Sequence, residues 1–258
     1  MNTQSLRLDG KCAIITGGGT GIGAAIAQAF ADAGANVVVS GRDPGSISSV
    51  AKSTGGLAVQ CDVTRPEEVE RLFAEATSTY GRVDVLVNNA GQSGPISPIS
   101  EVDLDEWRAC VEVNLFGAMH CLQVAAGVMS AQGSGSIINM SSLMGLVGYP
   151  MRSAYSATKF ALIGMTEAVA REVGPSGVRV NALCPGAVGG VLMDRVIARR
   201  AAAENRSAEQ VARENYTDVA ALRRWVKPSE VAAAALFLAS DASSSITGDR
   251  IKVDCGRF

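Results

Sequence analysis

Lys11-Cys12-Ala13-Ile14-Ile15-Thr16-Gly17-Gly18-Gly19-Thr20-Gly21-Ile22-Gly23 runs without a break into the alanine-rich segment Ala24 to Ala33. Its first half is a short apolar run, the pattern of a strand buried on both faces of a parallel sheet. The glycines that follow permit a tight turn and a close backbone approach, and the segment after them has a helical pattern. Strand, glycine turn and helix in immediate succession make the first βα junction of an α/β sheet. At such a junction the helix N-terminus offers unpaired N–H groups and the positive end of its dipole, which suit a pyrophosphate. Gly17, Gly19, Thr20, Gly21, Ile22 and Gly23 are therefore candidate nucleotide-binding residues.

Outward from this junction the same alternation repeats. A second strand, Asn36-Val37-Val38-Val39-Ser40, ends at Gly41-Arg42-Asp43. Where a dinucleotide fold sets an acid for the ribose hydroxyls of NAD, this chain has Gly41 followed by Arg42, which suits the 2′-phosphate of NADP. The alternative gives the ribose to Asp43 and leaves Arg42 solvated. A third strand, Leu57 to Cys61, delivers Asp62 and Val63, where Asp62 contacts adenine or caps the local turn; Thr64 is expected to cap the helix that begins near Pro66. A fourth, Val83 to Val87, runs into Asn88-Asn89-Ala90-Gly91, whose carboxamides read as hydrogen-bond hubs beside a bound nucleotide.

A long helical pattern from Asp103 to about Ser130 carries Asn114, an amide among Val111, Val113, Leu115 and Phe116 that either satisfies a backbone group or holds a water. Next come the strand Ser136 to Met140, then Ser142, then Ser153-Ala154-Tyr155-Ser156-Ala157-Thr158-Lys159. On a helix Tyr155 and Lys159 rise from one face a turn apart. A phenol titrates near pH ~10, and a neighbouring cation lowers that value, which is one way to make an acid/base from tyrosine. Taken alone, the pair reads equally as an ordinary core aromatic beside a solvated lysine. A strand from Val178 to Leu183 leads to Pro185-Gly186-Ala187-Val188. An arginine-rich excursion, about 187–225, reads as helical pieces forming a substrate lid over the sheet's C-terminal edge. Its arginines are solvated helix charges or, on the sharper reading, contacts for an anionic substrate. The helix Val231 to Ala239 and a last strand, Ile246 to Asp254, close the chain.

At 258 residues with 47% hydrophobic content, the chain suits one α/β domain spanning 1–258. Twenty-three basic and 25 acidic residues leave a net charge of −2, which gives no electrostatic case for nucleic acid or an anionic membrane. No continuous apolar run approaches the ~18 residues of a membrane span, and Met1 to Gly10 is polar and too short for a secretory signal. Six scattered cysteines without a C-x-x-C pair read as buried thiols of a reducing compartment. A cytoplasmic protein is expected. With one histidine, His120, a zinc site or a Ser-His-Asp triad has little to build on, and no metal is expected.

Together, Thr16-Gly17-x-x-x-Gly21-x-Gly23, Asn88-Asn89-Ala90-Gly91, Asn114, Ser142, Tyr155-x-x-x-Lys159 and Pro185-Gly186 resemble the classical branch of the short-chain dehydrogenase/reductase family, from about Leu8 to Asp254. The resemblance implies a Rossmann-type sheet of seven parallel strands in order 3-2-1-4-5-6-7 and a nicotinamide cofactor, NADP(H) favoured and NAD(H) the alternative. It implies hydride transfer to or from a small carbonyl or secondary alcohol. Ser142 would polarise the carbonyl, Tyr155 transfer the proton, Lys159 lower the tyrosine pKa and hold the nicotinamide ribose, and Asn114 position a relay water. Asp62, Val63, Asn89, Ala90, Gly91, Pro185, Gly186 and Val188 would complete the cofactor site. It also implies a homotetramer built through the helices that carry Asn114 and follow Tyr155 and through the last strand. Two positions depart from the pattern: Gly190 stands where a threonine or serine usually meets the nicotinamide carboxamide, and Cys255 where a glycine usually follows the aspartate. A nucleotide-sensing regulator without turnover is the competing function, although it would be expected to lack Ser142, Tyr155 or Lys159.

Overall fold

Strand and helix alternate along the whole computed structural model, which describes residues 6–257. The strands are β1 (Cys12–Thr16), β2 (Asn36–Gly41), β3 (Leu57–Gln60), β4 (Val85–Asn88), β5 (Gly135–Met140), β6 (Val178–Pro185) and β7 (Arg250–Val253). The main helices are α1 (Gly21–Asp32), α2 (Pro44–Thr54), α3 (Pro66–Tyr80), α4 (Leu104–Val111), α5 (Gly117–Gln132), α6 (Ser153–Val173), α7 (Val191–Glu204), α8 (Ala208–Ala212) and α9 (Pro228–Ala239). All strand pairs are parallel, in the order β3-β2-β1-β4-β5-β6-β7, as the resemblance implies.

Successive residues of the central strands bury opposite ways, because strand side chains alternate across a sheet. Ile15, Val39, Val87 and Ile138 pack on one face with Ile26 and Phe30 of α1 and Val231, Ala235 and Leu238 of α9. Ile14, Val38, Leu86 and Ile137 pack on the other with Leu72 and Phe73 of α3 and Leu122, Ala125 and Met129 of α5. Both faces are covered, which explains the nearly continuous apolar strands. The order reverses between β1 and β4, so the loops after these strands part and open a crevice at the sheet's C-terminal edge.

The long helix is not uniform. A π-helical turn, Glu112–Phe116, separates α4 from α5 and holds Asn114. Taken through its interruption, Leu104–Gln132 is long and apolar enough to cross a membrane, at a mean hydropathy of 1.3. The sequence pattern did not lead one to expect a stretch of this length, since isolated polar residues such as His120 and Gln123 punctuate it. Cys121, Leu122, Ala125 and Met129 are instead buried in the sheet's core.

Thr64 does not cap α3: its N–H and hydroxyl both donate to Asp62 Oδ1, at 3.0 and 2.8 Å, and Arg65 holds the cap position. The last strand is shorter than expected, beginning only at Arg250. Cys255 adopts φ +56, the left-handed region that favours glycine. The excursion 187–225 holds α7, α8 and a π-turn, Arg213–Thr217, around a small core of Ile197, Ala201, Val211 and Tyr216. A parallel bridge between Val188 and Val226 ties its two ends together.

Candidate active site

The glycine turn is built for close approach. A Cβ added to Gly23 would lie 2.3 Å from Gly17 O, and one on Gly17 would lie 3.0 Å from Ala90 Cα. Gly17 and Gly21 adopt φ +62 and +54. No side chain caps α1 at Thr20 and no acid sits in its first turn, which leaves its N–H groups and dipole directed at the crevice. Asn89 fastens this turn to the neighbouring loop, donating to Thr16 O at 3.0 Å and Gly17 O at 3.1 Å. Asn88 works below it, donating to Ala118 O and Asn139 Oδ1 at 3.1 and 3.0 Å. Both carboxamides are hydrogen-bond hubs, as read from the sequence.

A cleft of about 870 Å³ opens above these loops, and Gly17, Thr20, Ile22, Gly23, Asn89, Ala90, Gly91, Ser142, Tyr155, Lys159, Pro185, Gly186 and Val188 all line it. Five residues selected with them lie off its wall. Gly19 faces α2, where an added Cβ would meet Ser46 Oγ at 2.5 Å. Gly21 supplies the positive-φ step into α1. Val63 is buried in the core, its methyl groups against Gly117. Arg42 and Asp62 stand beyond β2 and β3, with the Arg42 charge acting on the Asp62 carboxyl. Asp43 caps α2, accepting from Gly45 N at 3.3 Å and Ser46 N at 3.1 Å. Arg42 has no side-chain hydrogen bond or ion pair among the described residues, and only its carbonyl is engaged, by Gln60.

Asn114 is off the wall too. Its Oδ1 accepts from Gln92 N at 2.7 Å and its Nδ2 donates to Gln92 O at 2.9 Å, so the fully buried amide clamps the backbone after Gly91. That satisfies both polar ends of the side chain within the protein.

Tyr155 is partly open to the cleft. Lys159, a turn further along α6, lies with Nζ 5.5 Å from the phenol ring centre and donates to Met140 O at 2.7 Å. Ser142, two residues beyond β5, lines the same cleft and accepts from Met144 N at 3.2 Å. Burial pushes the Tyr155 phenol above its ordinary value, while the Arg152 charge and the Ser142 hydrogen bond pull it down. Burial also brings Lys159 down to about 8. Arg152, whose guanidinium carbon lies 4.9 Å from the ring centre, is thus a second cation beside the phenol, one that the sequence reading did not single out.

Sequence reading missed the substrate end of the cleft, where Tyr149, Arg152, Tyr216 and Arg257 meet. Arg152 precedes Tyr155 by three residues on α6, which was a legible helical neighbour relation. Arg257 carried no local signal. Of the lid arginines, Arg200 and Arg206 pair with Glu204 and Arg224 with Glu230, whereas Arg195 and Arg199 reach the cleft wall without a carboxylate partner among the described residues. Among the described residues no cluster of His, Cys, Asp and Glu could hold a metal.

Residues 17–257 match the family model described as enoyl-(acyl carrier protein) reductase. The chain is 37% identical to D-beta-hydroxybutyrate dehydrogenase of Rhizobium meliloti, over 95% of this chain and 98% of that protein. It is 39% identical to a short chain dehydrogenase/reductase of Aspergillus oryzae, over 99% and 97% of the two chains. Among solved structures, NAD+-bound xylitol dehydrogenase superposes with a TM-score of 0.92 at 29% identity, covering 96% of this chain and 99% of that one.

Proposed function

The chain belongs to the short-chain dehydrogenase/reductase family, and on that premise we propose that Tyr155 is the acid/base of a reversible hydride transfer between NADP(H) and a small carbonyl or secondary alcohol. The observation that carries this reading is that Ser142, Tyr155 and Lys159 line one cleft together with Gly17 and Gly23 of the glycine turn. When bound, the nicotinamide supplies or accepts the hydride at the substrate carbon and, oxidised, adds a positive charge to the site. Ser142 holds the reacting oxygen by its hydroxyl. Tyr155 donates a proton to that oxygen in reduction and removes it in oxidation, so one hydride and one proton together saturate the C=O bond. Lys159 and Arg152 bracket the phenol and stabilise its anion. Asn114 keeps the Gln92 backbone, and with it the cleft rim, in place; a relay water beside it is part of the proposal.

Preference for NADP(H) is supported by the unengaged Arg42 guanidinium and by the commitment of Asp43 to capping α2. The xylitol dehydrogenase neighbour binds NAD+, so NAD(H) is the competing form. A homotetramer is supported by Phe116, beside Asn114, and Phe160, just after Tyr155, which are 43% and 45% exposed on the two helices expected to associate. Six unpaired cysteines support a cytoplasmic location. The relatives above lend no support to a sensor without turnover.

Nicotinamide absorbance, followed with NADPH and NADH against ketones, sugars and β-ketoacyl thioesters and with the oxidised cofactors against the matching alcohols, tests the proposal. Turnover with NADPH well above NADH is expected. Equal or better use of NADH would remove Arg42 from its role, and silence across the panel would remove the enzymatic reading.

A further inference from the structure

Arg152 and Arg257 are 5% and 6% exposed, and among the described residues neither is paired with a carboxylate. Arg152 Nη2 donates to Ser93 O at 3.0 Å, but its Nε–H is buried with no partner. Arg257 Nη2 donates to the Tyr149 hydroxyl at 2.8 Å, and its guanidinium carbon lies 5.3 Å from the Tyr149 ring centre and 5.0 Å from that of Tyr216. The Tyr216 hydroxyl is likewise buried without a partner. All four side chains line the cleft.

A buried cation costs free energy unless an anion or a full set of acceptors compensates it. A carbonyl or a phenol oxygen and the faces of aromatic rings satisfy only part of a guanidinium with five N–H donors. Among the described residues the one acid on the cleft wall, Glu214, is already paired with Arg206 at 2.5 Å. Cofactor phosphates do not explain the excess at this end. Along α6, Tyr155 lies between Lys159, which is anchored to the β5 end, and Arg152, which faces the lid aromatics. The unused donors therefore sit on the substrate side of the acid/base. Leu192 and Val196 of the lid line the same cleft and suit a short hydrocarbon spacer.

We propose that Arg152 and Arg257 form an anchor for a carboxylate, so that the substrate is an oxo acid or hydroxy acid held by its charged end while its carbonyl or alcohol meets Tyr155. The planar fork of a guanidinium matches a flat carboxylate, which selects this anion class. The substrate class rests on the oxidoreductase reading above; the anchor itself does not.

Two measurements test it. The first compares kcat/KM for short α-, β- and γ-oxo acids with their methyl esters. In the wild type the acids should lead by about 100-fold, and Arg152→Gln should collapse that lead to about threefold, mainly through KM. Arg257→Gln should reduce it as well, and Arg152→Lys should retain part of it. The second titrates butyrate, butyramide and inorganic phosphate into nucleotide-saturated protein by calorimetry. Butyrate alone should bind, with at least about a tenfold loss in Arg152→Gln.

Esters used as well as acids would overturn the proposal. So would an Arg152→Gln variant that slows acids and esters by the same factor, because Arg152 would then serve the phenol alone and leave the acid's charged end unread. Phosphate binding in place of butyrate would overturn the carboxylate assignment. Turnover of neither acids nor esters would refute the oxidoreductase reading, while the titration would still decide whether the anchor exists.

Discussion

Lys159 and Tyr155 are held where their charged forms are disfavoured, and this has consequences that can be measured. Burial brings Lys159 from 10.5 to about 8. Between those values the unfolded chain holds the proton and the folded chain does not, so stability rises with pH through this window and the penalty stands in full below it. The difference corresponds to about 3 kcal/mol. Urea unfolding of the wild type and Lys159→Met at pH 7 and pH 10 should show the wild type gaining on the variant at the higher pH; a constant gap would contradict the burial of the charge. Tyr155 is also pushed up by burial, so the phenolate needed to take a proton becomes scarcer as pH falls. Alcohol oxidation should therefore peak at a higher pH than carbonyl reduction, which initial rates in both directions would check. Sequence spacing placed Ser142, Tyr155 and Lys159 together, since i,i+4 and a strand end are local relations. It could not show Arg152 as the nearer cation, because an arginine at a helix start is ordinarily solvated and this one is buried beneath the lid aromatics.

The elements that shape the cleft do so by exclusion of side chains as much as by contact. An added Cβ on Gly23 would meet Gly17 O at 2.3 Å, so Gly23→Ala should displace the turn and weaken nucleotide binding by at least about tenfold, read by fluorescence titration. Unchanged affinity would remove the turn from the nucleotide site. The helix after β2 argues differently: Asp43→Ala removes a cap and should lower the midpoint of denaturant unfolding without altering the choice between NADPH and NADH. A change in that choice would return Asp43 to the ribose. Apolar strands and glycine turns were legible as sequence because both are local patterns. The π-turn that carries Asn114 was not, since nothing in Glu112–Phe116 departs from helical periodicity. Nor was the move of the α3 cap position from Thr64 to Arg65, since Thr64 is drawn to the Asp62 carboxylate.

Across the whole molecule, seven parallel strands bring loops from distant parts of the chain to one edge, and the cleft opens at the reversal between β1 and β4. That order followed from the resemblance; alternation alone gave a parallel sheet without an order. The lid's place over the edge was legible, but its arginines divide between internal ion pairs and the cleft in a way only the folded chain reveals. Outside the cleft, Phe160 is 45% exposed and an added Cβ on Gly164 would meet nothing within 4 Å, and the proposed homotetramer rests on this face of α6. Phe160→Asp should shift the particle seen by light scattering to a smaller assembly, whereas an unchanged mass would move the interface elsewhere. The most direct test of the account compares wild type and Tyr155→Phe for two quantities side by side: turnover of the best carbonyl substrate and the dissociation constant of NADPH. Tyr155→Phe is expected to lose turnover by at least about 1,000-fold while binding NADPH within about threefold of the wild type, because it removes the proton and little else. Retained turnover would contradict the account at its centre.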